Sequence, residues 1–161
     1  MKRLTLLAAA LLLGLSAFAQ SGKSIYQKYS DAENVSAVYI SPAMFRMIGR
    51  LPDIDAGRDS FNLTSVIRSL SGLYILNSGN PAINGNLRAD AQRFIDTGKY
   101  ELLMEAKDRG QAVRLYTMGS EQIISGFALL SAEDDEVTFI FLEGQMPRRE
   151  FEQLISKQLN L

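Results

Sequence analysis

The chain of 161 residues contains no cysteine and no histidine. Without histidine it lacks the usual proton shuttle at neutral pH, and without cysteine it lacks the strongest thiol nucleophile. A Ser-His-Asp or Cys-His hydrolase is therefore excluded. The usual nitrogen and sulfur ligands of a zinc site are missing as well. Any catalysis would have to use carboxylates, or a serine activated by lysine.

An excess of charge of one sign is also lacking. The 17 basic and 18 acidic residues give a formal net charge of −1 and are well mixed along the chain. Proteins that bind nucleic acids usually present a clustered basic face. Because the sequence has no such cluster, we expect no nucleic-acid partner. No disulfide framework can form either, so the fold must depend on packing.

The start of the chain has the three-part pattern of a secretory signal peptide. Lys2 and Arg3 form a basic start, an apolar run extends from Leu4 to Leu15, and Ala17–Ala19 places small residues where a signal peptidase reads them. The apolar run is shorter than the ~20 residues that a spanning helix needs. A lipoprotein would need a cysteine at the cleavage site. We therefore expect cleavage before Gln20, export to the periplasm or the cell exterior, and no transmembrane anchor afterwards.

Residues 20–161, which follow the expected signal peptide of residues 1–19, suit one domain. The last three predicted strands are joined by short connections rich in turn residues, so we expect an antiparallel three-stranded meander there. The pattern as a whole predicts an α+β domain with helices packed on one mixed sheet of about five strands. The predicted helices cover residues 24–29, 42–48, 63–70, 81–96, 100–108 and 147–159, and the predicted strands cover 35–40, 72–77, 112–118, 122–130 and 137–142.

The last predicted strand, residues 137–142, is apolar on both faces. Antiparallel strands with one face in water do not show this pattern. One explanation is a central strand between helices, which we favour because the chain has helices to spare. The other explanation is that the second face meets a partner protein or a second copy of the chain.

Two acidic segments are candidates for binding a cation. Asp53, Asp55 and Asp59 share one loop, and calcium loops look similar because hard oxygen ligands converge on one ion. The twelfth position is Thr64 rather than a bidentate glutamate, which favours a solvated acidic loop. The run Glu133–Glu136 is more typical of a solubilising turn. The sequence predicts no catalytic residue, no metal ligand and no cofactor.

Arg114 and Tyr116 are the candidate partner surface. They lie on the opposite face of a predicted strand from two aliphatic neighbours, which indicates a more exposed face. Tyr39 and Tyr74, on the first two predicted strands, are interpreted as core aromatics with hydrogen-bonded hydroxyls.

Short motifs recur in a recognisable order along nearly the whole chain after the expected signal peptide. They are Tyr29-Ser30-Asp31, Tyr39-Ile40-Ser41 with Met44-Phe45, Gly72–Leu76, Tyr100–Met104, Val113–Tyr116 and the Glu133–Glu136 hairpin. In their order and spacing the chain resembles the small exported proteins of Gram-negative bacteria grouped as "domain of unknown function" family 4252. The resemblance implies an envelope protein without an assigned activity, and it supplies no catalytic residues. Many relatives look like lipoproteins, from which this chain departs by having no cysteine.

These features together predict an exported, non-enzymatic binding or regulatory module whose partner is an envelope protein. One alternative is a glycan-acting enzyme that uses Asp53, Asp55 and Asp59. Such an enzyme needs two carboxyl groups facing each other across a cleft about 5–10 Å wide. A second alternative is a structural protein that associates with itself, which the doubly apolar last strand would support.

Overall fold

A computed structural model describes residues 21–48 and 67–152. The described strands form one sheet of six strands in which every pairing is antiparallel. In chain order the elements are α1 (Gly22–Tyr29), β1 (Val35–Ile40), α2 (Pro42–Ile48), β2 (Leu70–Ser78), α3 (Pro81–Thr97), β3 (Glu101–Asp108), β4 (Gln111–Gly119), β5 (Ile123–Ala132) and β6 (Val137–Pro147). Across the sheet the order is β1-β2-β6-β5-β4-β3.

The α+β class and the packing of helices on one sheet are confirmed. The sheet differs from the prediction in having six strands rather than about five, and in being antiparallel rather than mixed. The meander runs through four consecutive strands, β3 to β6, rather than three. The additional strand, β3, covers the segment that the sequence pattern predicted as a helix.

A tight turn explains why β3 is a strand. Asp108 pairs with Gln111 across the two residues Arg109 and Gly110, whose φ angles are 46° and 90°. Positive φ at both central residues is what a type I′ turn requires, and this turn joins twisted antiparallel strands closely. Pairing with β4 therefore overrides the helical propensity of the Leu, Met, Glu, Ala and Lys side chains in this segment.

The hydrophobic core lies between one face of the sheet and the helices α1 and α3. Buried and half-buried residues alternate along β2 and β6, as expected for strands with one face against a core. Phe139, at the middle of β6, is fully buried. The helix α3 begins where Asn80 accepts a hydrogen bond from the Ala82 N–H at 3.0 Å, with Pro81 at its first position.

A buried carboxylate joins α1 to α3. Asp90 accepts a hydrogen bond from the Tyr29 hydroxyl at 2.8 Å and contacts Lys28 Nζ at 2.6 Å and Arg93 at 3.2 Å. Burial, and then the hydrogen bond with Asp90, raises the pKa of Tyr29. A buried charge is tolerated only when it is paired and hydrogen-bonded, so this cluster is a structural tie between the two helices.

The strand β6 lies in the interior of the sheet, between β2 and β5, and the face that carries Phe139 and Phe141 packs in the core beneath α1 and α3. On its second face, Ile140 lies in one row with Ile75 and Leu129, and all three are half-buried. Phe127 on the same face contacts Phe151 with ring centres 4.6 Å apart. Residues 148–152 are helical, so the region after β6 covers part of the second face. The remainder of the predicted last helix, and residues 63–66 of the predicted helix 63–70, lie outside the described residues.

Two glycines in helices are expected to respond to alanine in opposite directions. A Cβ at Gly22 in α1 would overlap the ring of Phe141, whereas a Cβ at Gly85 in α3 would meet nothing within 4 Å. Gly22→Ala should lower the free energy of unfolding by roughly 1–3 kcal/mol because the helix or the ring must shift. Gly85→Ala should raise the free energy of unfolding by about 0.5–1 kcal/mol, because alanine is the better helix former. Urea unfolding measures the free energy of unfolding of both variants. If Gly22→Ala did not change this free energy, the contact between α1 and β6 would be contradicted.

Candidate functional site

The sheet ends at β3, and all eight residues of this strand are exposed. Its apolar residues Leu102, Leu103 and Met104 are between 44% and 52% exposed. Within the described residues β3 pairs with β4 alone, so its outer row of N–H and C=O groups has no strand beside it. An exposed edge with apolar side chains is a template on which another strand can pair.

The register of the β3–β4 hairpin decides which backbone groups face outward. Hydrogen-bonded and non-hydrogen-bonded pairs alternate in an antiparallel ladder, and the pair that closes a two-residue turn is hydrogen-bonded. Asp108 pairs with Gln111 at the turn and is hydrogen-bonded to β4. Lys107 and Glu105 are the non-hydrogen-bonded positions that precede it, so their N–H groups point away from β4. Leu103 has no direct partner because the register shifts between Leu102 and Met104, which is a β-bulge.

Three charged side chains lie beside this edge, and we call Glu105, Lys107 and Arg114 the edge cluster. Arg114 Nε donates to Glu105 Oε2 at 2.6 Å, and Lys107 Nζ contacts Glu105 Oε1 at 2.7 Å. The hydrogen bonds from Lys107 and Arg114 lower the pKa of Glu105, and Glu105 in turn raises the pKa of Arg114. The cluster therefore carries two positive charges against one negative charge at neutral pH.

Tyr116 does not lie on an exposed surface. It is 7% exposed and belongs to the hydrophobic core, so the expectation of a more exposed face was wrong for this residue. The reason is that Tyr116 lies in one row with Ala128 and Phe141, on the face of the sheet that the helices cover. Arg114 keeps a quarter of its side chain exposed, and its contact with a partner stays a prediction.

The two tyrosines interpreted as core residues differ in burial. Tyr74 is buried in the core, as predicted. Tyr39 is 45% exposed, so the interpretation was wrong for Tyr39. Tyr39 lies on β1, a strand that pairs with β2 on one side, and its ring stacks on Tyr74 with centres 4.9 Å apart.

The acidic segments contribute no site within the described residues. The loop with Asp53, Asp55 and Asp59, and Thr64 after it, lie outside them. Glu133–Glu136 connects β5 to β6 and is exposed, with the Glu136 carboxylate accepting a hydrogen bond from the Asn77 side chain. Within residues 21–48 and 67–152, no group of three acidic residues is placed to hold a metal ion.

An open depression of about 620 Å³ lies at the end of β4. Arg148 Nε donates to the Ser120 carbonyl at 3.0 Å in its wall. Its lining residues are Glu101, Gly119, Ser120, Glu121 and Arg148. Among the described helices, none is both long and apolar enough to cross a bilayer.

Comparison with protein families decides the affiliation of the chain. The model of the family described as "Domain of unknown function (DUF4252)" matches residues 29–154. The chain belongs to the DUF4252 family. The matched DUF4252 region includes the whole sheet and α3, so the β3 edge and the edge cluster lie inside the family domain. No curated protein and no solved structure matches the chain.

The β3 edge is what sequence reasoning missed in this DUF4252 domain. The sequence pattern predicts a helix over Leu102–Met104 and Glu105, and a helix does not place these residues on a sheet edge. The signal for a hairpin is Arg109-Gly110, a pair that suits a two-residue turn, between two segments of similar length.

Proposed function

We propose that this DUF4252 protein is an exported, non-enzymatic binding module of the cell envelope. In this proposal the partner is an envelope protein that adds one extended strand to β3. The single observation that carries the proposal is the exposure of all eight β3 residues at the end of the sheet.

Strand addition uses two features of β3. The outward N–H groups of Glu105 and Lys107 can donate to a docked strand, and such main-chain hydrogen bonds provide affinity. Docking also buries Leu102, Leu103 and Met104, which are about half exposed in the free protein. The burial of each of these side chains contributes on the order of 1 kcal/mol to the free energy of binding. Side-chain contacts at alternate positions provide the specificity.

The edge cluster supports the choice of partner. Lys107 and Arg114 of this cluster favour an acidic side chain on a docked strand at their position, whereas Glu101 and Asp108 at the two ends of β3 favour basic side chains there. Exposed ion pairs like those of the edge cluster contribute little to the stability of a fold, so their rearrangement around a partner costs little.

Self-association is the second candidate, and one feature of β3 favours it. Antiparallel pairing of two β3 strands about Ala106 would place Glu105 of each copy opposite Lys107 of the other. Opposite charges at directly facing positions stabilise a pair of strands. The glycan-acting alternative gains no support, because its carboxylates Asp53, Asp55 and Asp59 lie outside the described residues.

Photo-crosslinking in living cells tests the proposal. A photoreactive residue at position 103 of β3 is expected to give one discrete adduct with a different envelope protein, because this side chain lies on the docking edge. Position 88, an exposed arginine on α3, is the matched control and should give no adduct of that mass. An adduct of twice the chain mass would favour self-association. A position-103 probe that forms no adduct contradicts docking at β3.

A further inference from the structure

Glu143 is an acidic residue on the helix-covered side of the sheet. It follows Phe141 on β6 by two residues, and residues two apart along a strand share a face. The side chain is half-buried, and no hydrogen bond or ion pair joins it to another residue within the described part of the chain. The carboxylate is therefore available to pair with an incoming cation.

The two strands beside β6 have glycine next to this carboxylate. Gly72 on β2 and Gly126 on β5 are the direct cross-strand partners of Glu143, and both are buried. Directly opposed Cβ positions lie about 4.5–5.5 Å apart. The carboxylate therefore stands between two positions that carry no side chain of their own.

Tyrosine hydroxyls occupy the space above both glycines. The Tyr74 hydroxyl oxygen lies 3.1 Å from the point that a Cβ atom would occupy at Gly72. The Tyr100 hydroxyl oxygen lies 3.0 Å from the corresponding point at Gly126. Burial, and then the negative charge of Glu143, raises the pKa of both tyrosines to about 12. Two neutral phenol oxygens therefore lie above the two glycines that flank Glu143 in the sheet.

Aromatic rings extend from Tyr74 to the surface. Tyr74 stacks on Phe141 with ring centres 6.0 Å apart, and Tyr39 stacks on the other side of Tyr74. Tyr26 of α1 contacts Tyr74 at 5.6 Å. Because Phe141 and Tyr39 stack on the two sides of the Tyr74 ring, these contacts fix the position of the Tyr74 hydroxyl.

We propose that Glu143, Tyr74 and Tyr100 form a binding site for an alkylammonium or guanidinium group. The positive charge of such a group can pair with the carboxylate, and its N–H groups can donate hydrogen bonds to the phenol oxygens. One carboxylate is too few ligands for a calcium ion, and an anion would be repelled. The cation is either a free amine or a lysine or arginine side chain of a partner. The site lies on the helix-covered face over β2, β6 and β5 and not on the outer backbone row of β3, and it does not depend on the function proposed above.

Nuclear magnetic resonance titration of the full chain tests the site. The probes are n-butylammonium, N-ethylguanidinium and a short acetylated peptide with one lysine, with sodium chloride at equal ionic strength as the reference. We expect saturable shifts of the Gly72 and Gly126 amide signals with at least one organic cation and none with sodium. Tighter binding of the peptide than of n-butylammonium assigns the cation to a protein side chain, and equal or weaker binding assigns it to a free amine.

Three variants complete the test. Glu143→Gln should weaken binding at least tenfold, because it removes the charge but keeps the shape. Glu121→Gln, an exposed glutamate elsewhere, should leave binding unchanged. Tyr100→Phe removes one hydroxyl and should weaken binding several-fold, so it keeps the test valid if Glu143→Gln does not fold. Shifts that do not saturate, or equal binding by the wild-type protein and a folded Glu143→Gln variant, would overturn the proposal.

Discussion

Between pH 10 and pH 12 the protein is expected to lose up to about 5 kcal/mol of its free energy of unfolding. Burial, and then the charge of Glu143, raises the pKa of Tyr74 and Tyr100 from 10.0 to about 12 in the folded protein. The folded state therefore holds these two protons more tightly than the unfolded chain does. The stabilisation is fully present below pH 10 and is lost as the pH rises through 12.

The size of this loss follows from the pKa shifts. One pKa unit corresponds to about 1.4 kcal/mol, so two units correspond to about 2.7 kcal/mol for each tyrosine. The sum for both is an upper figure, because Tyr100 is only half-buried and water screens the charge at its hydroxyl. Urea unfolding at pH values from 8 to 12 measures the dependence, with tyrosinate absorbance near 295 nm reporting ionisation.

A matched variant isolates one tyrosine from the other alkaline effects. Tyr100→Phe should remove about half of the loss that Tyr74 and Tyr100 cause between pH 10 and 12, while leaving the effects of Tyr29 and of lysine deprotonation in place. If the free energy of unfolding of Tyr100→Phe fell as steeply between pH 10 and 12 as that of the wild-type protein, Tyr100 would make no contribution. If all six tyrosines of the chain ionise by about pH 10.5 in the folded protein, the enclosed positions of Tyr74 and Tyr100 are contradicted.

Phe139→Ala is expected to lower the free energy of unfolding by roughly 3–5 kcal/mol. Phe139 is fully buried at the middle of β6, and its ring meets Phe94 of α3 edge-on with centres 6.0 Å apart. Removing the ring loses its transfer free energy and leaves a cavity that the sheet and the helix cannot fill. Chemical unfolding of the purified variant measures the change.

Ile140→Ala is the control for this experiment, because Ile140 follows Phe139 and lies on the opposite face of the sheet. It is half-buried, so its truncation should cost clearly less than that of Phe139. If Ile140→Ala were as destabilising as Phe139→Ala, the assignment of the main core to the side of α1 and α3 would be wrong.

Local patterns predicted most of the elements because their signals lie within a few residues. The β-branched and aromatic run in β1 is such a signal, and so is Asn80-Pro81 at the start of α3. The doubly apolar β6 was correctly placed in the interior of the sheet. In each case the side chains themselves favour the observed conformation.

The candidate sites could not be predicted in the same way, because they depend on contacts between distant residues. Good helix formers fill β3, and pairing with β4 decides its conformation. Alternation places Arg114 and Tyr116 on one face, but only helix packing decides that this face is covered at Tyr116. Glu143 comes between Gly72 and Gly126 through the register of three strands, which no local pattern contains.

Docking of a strand on β3 is tested most directly by a pair of variants at Lys107. The N–H of Lys107 points away from β4, so Lys107→Pro removes a donor that a docked strand needs and leaves the β3–β4 hydrogen bonds intact. Lys107→Ala removes the same side chain and charge but keeps the N–H. Both variants should fold, which circular dichroism checks.

The decisive measurement is the yield of the position-103 photo-adduct in these two backgrounds. Strand addition predicts a yield at least tenfold lower in Lys107→Pro than in Lys107→Ala, because both variants lose the charge of Lys107 but only Lys107→Ala keeps the backbone donor. Equal yields in the two variants would show that the backbone of β3 does not hold the partner, and would contradict the account.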